Sequence, residues 1–376
     1  MAAVWTLARR SLTASPLRLI VSIGGVALAL SLMLALDAIV AGVSRQLTSY
    51  IDGAGADVWV AQAGVRNLHM VSSWIPESVT GEVQATEGVG AVTPILYVTD
   101  TIAANGQRAV VYVFGLPADA TMGVPQQIAQ GARIPGPGDA VIGQDFARQA
   151  GVGLGDRVTI LGRDLRITGI AASGGNLLNG IAFVSADDFR AARGGAPVVS
   201  FVLARTAPGA SPDAVAAAIQ QRVPGVTALS RVAFAAEERR LVMQMAGDVI
   251  TVMNSVGVVV GLAVVALTVY IAVLARRREY GILKALGTRA RTLYTVVLVQ
   301  AFLSVLLAFA AAFVFTATLG AVVHAARLPL TLQIEAGSLL NVALVGAVIA
   351  AAASVLPIRQ IAAVDPAVVF RRGPSL

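Results

Sequence analysis

Few residue types in this 376-residue chain could carry covalent or metal chemistry. There is no cysteine, which removes thiol nucleophiles, disulfides and zinc-thiolate sites. The two histidines, His69 and His324, are far apart in sequence, so neither a His-Glu-x-x-His zinc helix nor a mixed Cys/His site can form. The only lysine, Lys284, is followed by Ala285, and no Gly-x-x-x-x-Gly-Lys-Ser/Thr phosphate loop exists. A Gly-x-Ser-x-Gly elbow is absent too. Acidic pairs such as Asp187-Asp188 read as the start of a short helix, "DDFRAAR", rather than as an acid–base pair. These residues predict no catalytic site, no metal site and no enzyme activity in the chain itself. Charge placement is the stronger signal: residues 275–291, "ARRREYGILKALGTRAR", hold six cations between two long apolar runs.

The elements around that segment follow from composition. The chain is 56% hydrophobic and only 13% charged, against about a quarter charged in soluble domains. A net charge of +7 would suggest nucleic acid in a soluble protein, but such binders interleave cations with aromatics on a polar surface. Here the cations flank apolar runs, so lipid is expected and nucleic acid is not. Four stretches, 17–43, 248–274, 292–323 and 339–357, are long enough to cross a hydrocarbon core, which takes about 20 helical residues. The first has about 25 apolar residues, more than the 7–15 of a signal-peptide core, and is read as an uncleaved span.

Cations set the expected orientation. Arg9, Arg10 and Arg18 open the chain, in a short amphipathic helix at 1–16 and the edge of the first span. Six more lie in 275–291, and Arg359, Arg371 and Arg372 lie in the tail 358–376, whereas the 324–338 connection has only Arg327. The expectation is a multi-pass protein of the inner or plasma membrane with both termini and 275–291 in the cytoplasm. Residues 44–247 then lie outside, as an α+β extracytoplasmic domain with a stalk. Within it Asn105-Gly106 separates two alternating runs and signals a hairpin. "GDRVTILGRDLRITGIAAS" reads as two strands around Gly162. "PVVSFVLAR", a helix opened by Ser211-Pro212, and "GVTALS" read as a strand–helix–strand lobe. "FAAEERRLVMQMAGDV" has helical spacing without a breaker and reads as the stalk.

Taken as one helix, residues 276–291 put Arg277, Lys284, Thr288 and Arg291 on one face and Tyr280, Ile282, Leu283 and Leu286 on another. Such a helix could receive a partner, or serve as an anchor on lipid headgroups, which needs charge but no particular apolar face. The segment "RRREYGILKALGTRARTLYTVVLVQAFL" resembles the loop and third span of the MacB/FtsX superfamily of ABC transporter permeases, through Arg278, Glu279, Gly281, Ile282, Lys284, Ala285, Leu286 and Gly287. "LARRSLTASPLRLIVSIGGVALAL", "GVGLGDRVTILGRDLRITGI" and "LPIRQIAAVDPAVVFR" are similar to other parts of that family, as is the order of one span, outer domain and three spans.

The resemblance implies an exporter permease whose partner is a cytoplasmic ABC ATPase in two copies, binding ATP and magnesium, beneath a permease dimer, with homodimer as the expectation. This chain would hold no cofactor. Glu279, Tyr280, Gly281 and Leu283 would face the ATPase, with Arg277 and Lys284 on its acidic rim or on lipid. Gly257 and Gly261, four residues apart, and Gly24-Gly25 would allow close approach of a second copy. The loop is similar to HrtB-type haem exporters and DevC-type permeases, which makes an amphipathic or hydrophobic cargo the expectation, haem being one candidate. His69, Met70, Met243 and Met245, with Glu237 or Glu238, would be its ligands, although methionines at helical spacing also serve packing. A non-transporting relay to a cell-wall hydrolase, as in the FtsX branch, is the alternative. Asp37, Asn254 and Gln300 are polar groups within the spans, where such groups are costly.

Overall fold

A computed structural model describes residues 16–69, 71–172, 180–275, 277–326 and 332–362. The N-terminal segment before Pro16 and the tail beyond Ala362 lie outside the described residues. The chain forms two compact units, residues 43–245 and residues 1–42 with 246–376. Helix α1 (Pro16–Gly53) opens it.

The 43–245 unit is α+β. In order it contains β1 (Val58–Gln62), β2 (Ile75–Pro76), α2 (Val79–Gln84), β3 (Val89–Ala104), β4 (Gln107–Leu116), β5 (Ile128–Gly131) and β6 (Asp139–Gly143). There follow α3 (Gln144–Ala150), β7 (Arg157–Ile160), β8 (Arg163–Ala171), β9 (Gly180–Ser185), α4 (Ala186–Ala192), β10 (Val198–Val199), β11 (Phe201–Thr206), α5 (Pro212–Arg222) and β12 (Val226–Ser230). The main sheet runs β12-β1-β11-β3-β4-β9-β6-β8-β5, with β7 on β3 and β8. Strand β3 is 16 residues long and serves two lobes: its first half pairs with β11 and its second with β4. The β3–β4 turn has Asn105 and Gly106 both at positive φ, 48° and 77°, the backbone a two-residue type I′ hairpin requires. Strands β11 and β12 both pair antiparallel to β1, so helix α5 carries the chain across β1 between them.

Asp188 illustrates why the acidic pair is structural. Ser185 Oγ accepts from the Asp188 N–H at 3.0 Å and caps α4, while the buried Asp188 carboxylate accepts from Ser185 Oγ and the Gly138 N–H, each at 2.7 Å. Arg163 adds an ion pair at 3.2 Å. Ser211 differs from expectation: it opens α5 ahead of Pro212 but makes no side-chain capping bond.

Helix α6 (Arg231–Ala275) follows, then α7 (Arg277–Ala285), α8 (Ala290–Ala325), α9 (Ala336–Ala353) and α10 (Val355–Ala362). Four segments have the length and apolarity of membrane spans: Ile23–Gly53, Gly247–Ala275, Ala290–Ala325 and Ala336–Ala362. Their core joins Leu30, Leu34, Val265, Val269, Leu293, Val297 and Ile349. Some polar groups of the spans are partnered, whereas Asn254 Oδ1 and Thr316 Oγ1 are buried without a hydrogen-bond partner. Asp37 shares a hydrogen bond with Ser338, and the Gln333 N–H donates to the Ala38 carbonyl at 3.0 Å.

Three of the four glycines expected at a dimer seam, Gly25, Gly257 and Gly261, meet neighbours inside the chain. A Cβ built on Gly257 would lie 3.0 Å from Met33 Cε, one on Gly261 3.1 Å from Ile349 Cδ1, and one on Gly25 3.1 Å from Val264 Cγ1. These glycines let α6 approach α1 and α9 closely, the packing that small residues allow in lipid. Gly24 meets nothing within 4 Å. A Gly257→Val substitution should therefore overpack this seam and cost about 1–3 kcal/mol. Loss of detergent thermostability of the single chain checks it, and an unchanged melting temperature would contradict the intrachain role.

Candidate functional site

Helix α7 ends as its sequence dictates. Gly287 sits at φ 84°, the Thr288 N–H donates to the Leu283 carbonyl at 3.0 Å, and the Gly287 N–H to the Lys284 carbonyl at 3.1 Å. These two bonds are the Schellman pattern that stops a helix at glycine. The segment 276–291 is thus not one helix, and Thr288 and Arg291 do not share a face with Lys284.

The expected apolar face divides in two. Tyr280 is buried, as is the Gly281 position, and Leu283 is partly buried; Tyr280 and Leu283 belong to the same apolar cluster as Leu293, Ile358 and Ile361. Glu279, Ile282 and Leu286 point the other way, and Leu286 is 78% exposed. The spacing i, i+3, i+7 makes these three one stripe. Within the chain Tyr280 and Leu283 thus face the apolar cluster, while the stripe of Glu279, Ile282 and Leu286 faces outward. Lys284 also makes contacts within the chain. Its ammonium donates to the carbonyls of Ile361 at 3.2 Å and Ala362 at 2.9 Å. Arg277 begins the helix, and its side chain lies outside the described residues.

A second group of expected residues lies in the 43–245 unit, at the start of α6. The end of α1 and the start of α6 enter one aromatic core there. Tyr50 stacks on Phe114 with ring centroids 4.0 Å apart, and Phe234 stacks on the fully buried Trp59 at 5.0 Å. Tyr50 Oη donates to the Gly123 carbonyl at 2.7 Å, and Arg231 pairs with Asp52 at 3.5 Å. Both helices are thereby fixed in a single packed cluster.

One turn further, consecutive glutamates hold the 66–69 loop. Glu237 pairs with Arg66 at 3.2 Å. Glu238, 1% exposed, accepts from the Leu68 N–H through Oε2 and meets His69 Nδ1 through Oε1, both at 2.7 Å. The His69 ring lies 4.4 Å from that of Tyr112, with Tyr97 beyond, whose phenol pKa burial raises well above its ordinary value. His69 thus has Nδ1 on a buried carboxylate, which leaves Nε2 as the nitrogen open to another partner, on a side chain only 9% exposed. Glu237 is engaged by Arg66. Met243 is exposed, and the side chain of Met245 and all of Met70 lie outside the described residues. Sequence reasoning missed Glu238 as the partner of His69, for the two lie 169 residues apart. It also missed the 279/282/286 stripe, which the i, i+3, i+7 spacing could have signalled.

Comparison with known proteins agrees with this layout. The model for the MacB-like periplasmic core domain matches residues 19–222, and that for the FtsX-like permease C-terminal region matches residues 251–366. An uncharacterized ABC transporter permease of Mycobacterium tuberculosis strain H37Rv is 25% identical over 355 residues, covering 94% of this chain and 95% of the relative. A second from the same strain is 24% identical over the same coverage. Among solved structures, the extracellular domain of the noncanonic ABC-type transporter YknZ from Gram-positive bacteria aligns at 11% identity and TM-score 0.38, covering 46% of this chain and 99% of that one. The periplasmic region of MacB from Actinobacillus actinomycetemcomitans aligns at 11% identity and TM-score 0.39, covering 50% and 94%.

Proposed function

The chain belongs to the MacB/FtsX family of ABC transporter permeases, and from that premise we propose that it couples ATP hydrolysis by a separate ATPase subunit to export of an amphipathic or hydrophobic cargo. The observation that carries the coupling is the exposed stripe Glu279, Ile282 and Leu286 on a short helix between two spans. An apolar residue as open as Leu286 beside a cation-rich segment suits a protein groove with an acidic rim better than water. ATP and magnesium are bound by the ATPase, which receives α7 at the cytoplasmic face.

Two permease copies assemble through α6 in this reading. Only 22% of the α6 span is buried within the chain, against 50% for α1, so α6 has the most surface left to cover. An apolar cavity of about 450 Å³, lined by Gly25, Leu32, Val256, Val260, Phe315 and Leu319, borders that surface. Its polar atoms are few, and Ser31 Oγ already donates to the Leu28 carbonyl at 3.0 Å, so the space suits an apolar cargo or lipid chain. Haem stays within this cargo class.

Labelling tests the orientation on which the coupling depends. The natural chain has no cysteine, so Gln107→Cys and Ala285→Cys, both at exposed positions, each provide a single thiol. A membrane-impermeant maleimide applied to intact cells should modify the first and spare the second until the membrane is permeabilised. Labelling of position 285 in intact cells would overturn the proposal.

A further inference from the structure

We infer that the cavity between α1, α6 and α8 is the seat of one acyl chain of a bilayer phospholipid, held upright as a wedge among the three helices. The inference needs only the membrane spans and is independent of the coupling reading above.

The shape of the space identifies its occupant. Along α1 the lining runs from Gly25 to Ala35, about 15 Å at the helical rise, and a volume of about 450 Å³ over that length gives a mean cross-section of about 30 Å². That is a slot one hydrocarbon chain wide. Two chains side by side, or a fused-ring body, need a broader space. The slot also follows the axis of a spanning helix, the direction in which bilayer chains already stand.

The walls agree with the shape. Small residues form the floor where the helices approach closely, Gly25 and Ala29 on α1 and Gly257 on α6. Large apolar side chains form the rim, Leu28, Leu32, Val260 and Phe315, all exposed on the faces of the spans. Among the described residues that line the slot none is charged, and Ser31 Oγ is already engaged with the Leu28 carbonyl at 3.0 Å. The occupant therefore carries no polar group inside the slot, which a phospholipid satisfies by leaving its headgroup at the interface. Bilayer chains are as apolar as leucine, so moving one into the slot gains nothing from the hydrophobic effect. Packing holds it instead: walls around a void lose the dispersion contacts of one side, and a chain restores them. The chain thereby completes the packing of α1, α6 and α8, and any cargo that uses this space has to displace it.

Native mass spectrometry of the full chain, purified in detergent with its endogenous lipid, should show one phospholipid per chain that survives detergent exchange. In lipid-stripped protein, dipalmitoylphosphatidylcholine should raise the melting temperature saturably, and cholesteryl hemisuccinate should not compete for the site. Ala35→Phe fills the slot and should abolish the retained lipid, with a melting temperature no lower than that of stripped wild-type protein. Phe315→Ala removes part of the rim, on a side chain that is 55% exposed, and should weaken phosphatidylcholine binding about tenfold. Wild-type protein without a retained phospholipid, retention unchanged in both variants, or equal displacement by the sterol would overturn the assignment. Retention of a different amphiphile in place of phospholipid would overturn it as well and give the cavity to the cargo. None of these outcomes bears on the coupling reading, which is measured through the ATPase and Leu286.

Discussion

Leu286→Asp is expected to strip the ATPase from the permease while leaving the permease folded. Leu286 is 78% exposed, so on the isolated chain the substitution falls among surface changes worth within about 0.5 kcal/mol. In the complex it replaces the burial of a leucine, worth about 1.5–3 kcal/mol, by desolvation of a carboxylate costing several kcal/mol more. Binding should weaken by at least about a hundredfold, since each 1.4 kcal/mol is a factor of ten. Affinity co-purification against an unchanged melting temperature of the permease alone measures it. Leu283→Asp provides the contrast. That side chain packs into the core of the spans, so its substitution should lower the stability of the permease itself. If the two variants were interchangeable, the assignment of the two faces would be wrong.

The second large effect lies in the outer unit. Glu238→Ala leaves the Leu68 N–H and the His69 ring without their buried acceptor, and removing one member of a buried polar pair typically costs about 3–5 kcal/mol. Glu238→Gln should cost much less. Its amide oxygen can accept from Leu68, and its NH2 can donate to a His69 nitrogen that carries no proton. Denaturant unfolding followed by the Trp59 environment reads both, because Trp59 lies in the core that receives the start of α6. A Glu238→Ala loss below about 1 kcal/mol, the worth of one ordinary hydrogen bond, would show that the pair does not hold the loop to the helix.

These two sites also mark where the amino-acid sequence is legible. Asn105-Gly106 announces its hairpin because only a few residues tolerate positive φ, and the spans announce themselves through uninterrupted apolar length. Gly287 marks the end of α7 for the same local reason. Facing is a different matter. A helical wheel places Tyr280, Leu283, Ile282 and Leu286 near one another, but which of them turn inward is decided by Ile358 and Ile361, more than seventy residues away. The glycines at 257 and 261 signal a close helix contact correctly, yet nothing local says that the contact is with Met33 and Ile349 of the same chain. His69 and Glu238 show the same limit for the polar network: 169 residues apart, they read as separate polar groups until the fold pairs them. Residue type and local spacing carry the elements, and long-range packing decides which side chains remain for function.

Site-specific photo-crosslinking tests the central claim most directly. A photoreactive amino acid is placed at Leu286 in one version of the chain and at Tyr280 in another, each co-expressed with the ATPase and irradiated in membranes. The probe at 286 should capture the ATPase subunit, identified by mass spectrometry at a groove on its surface, and the capture should change in yield when ATP with vanadate is added. The probe at 280 should yield only crosslinks within the permease. Capture of the ATPase from 280 with none from 286, or capture of lipid alone from 286, would contradict the account.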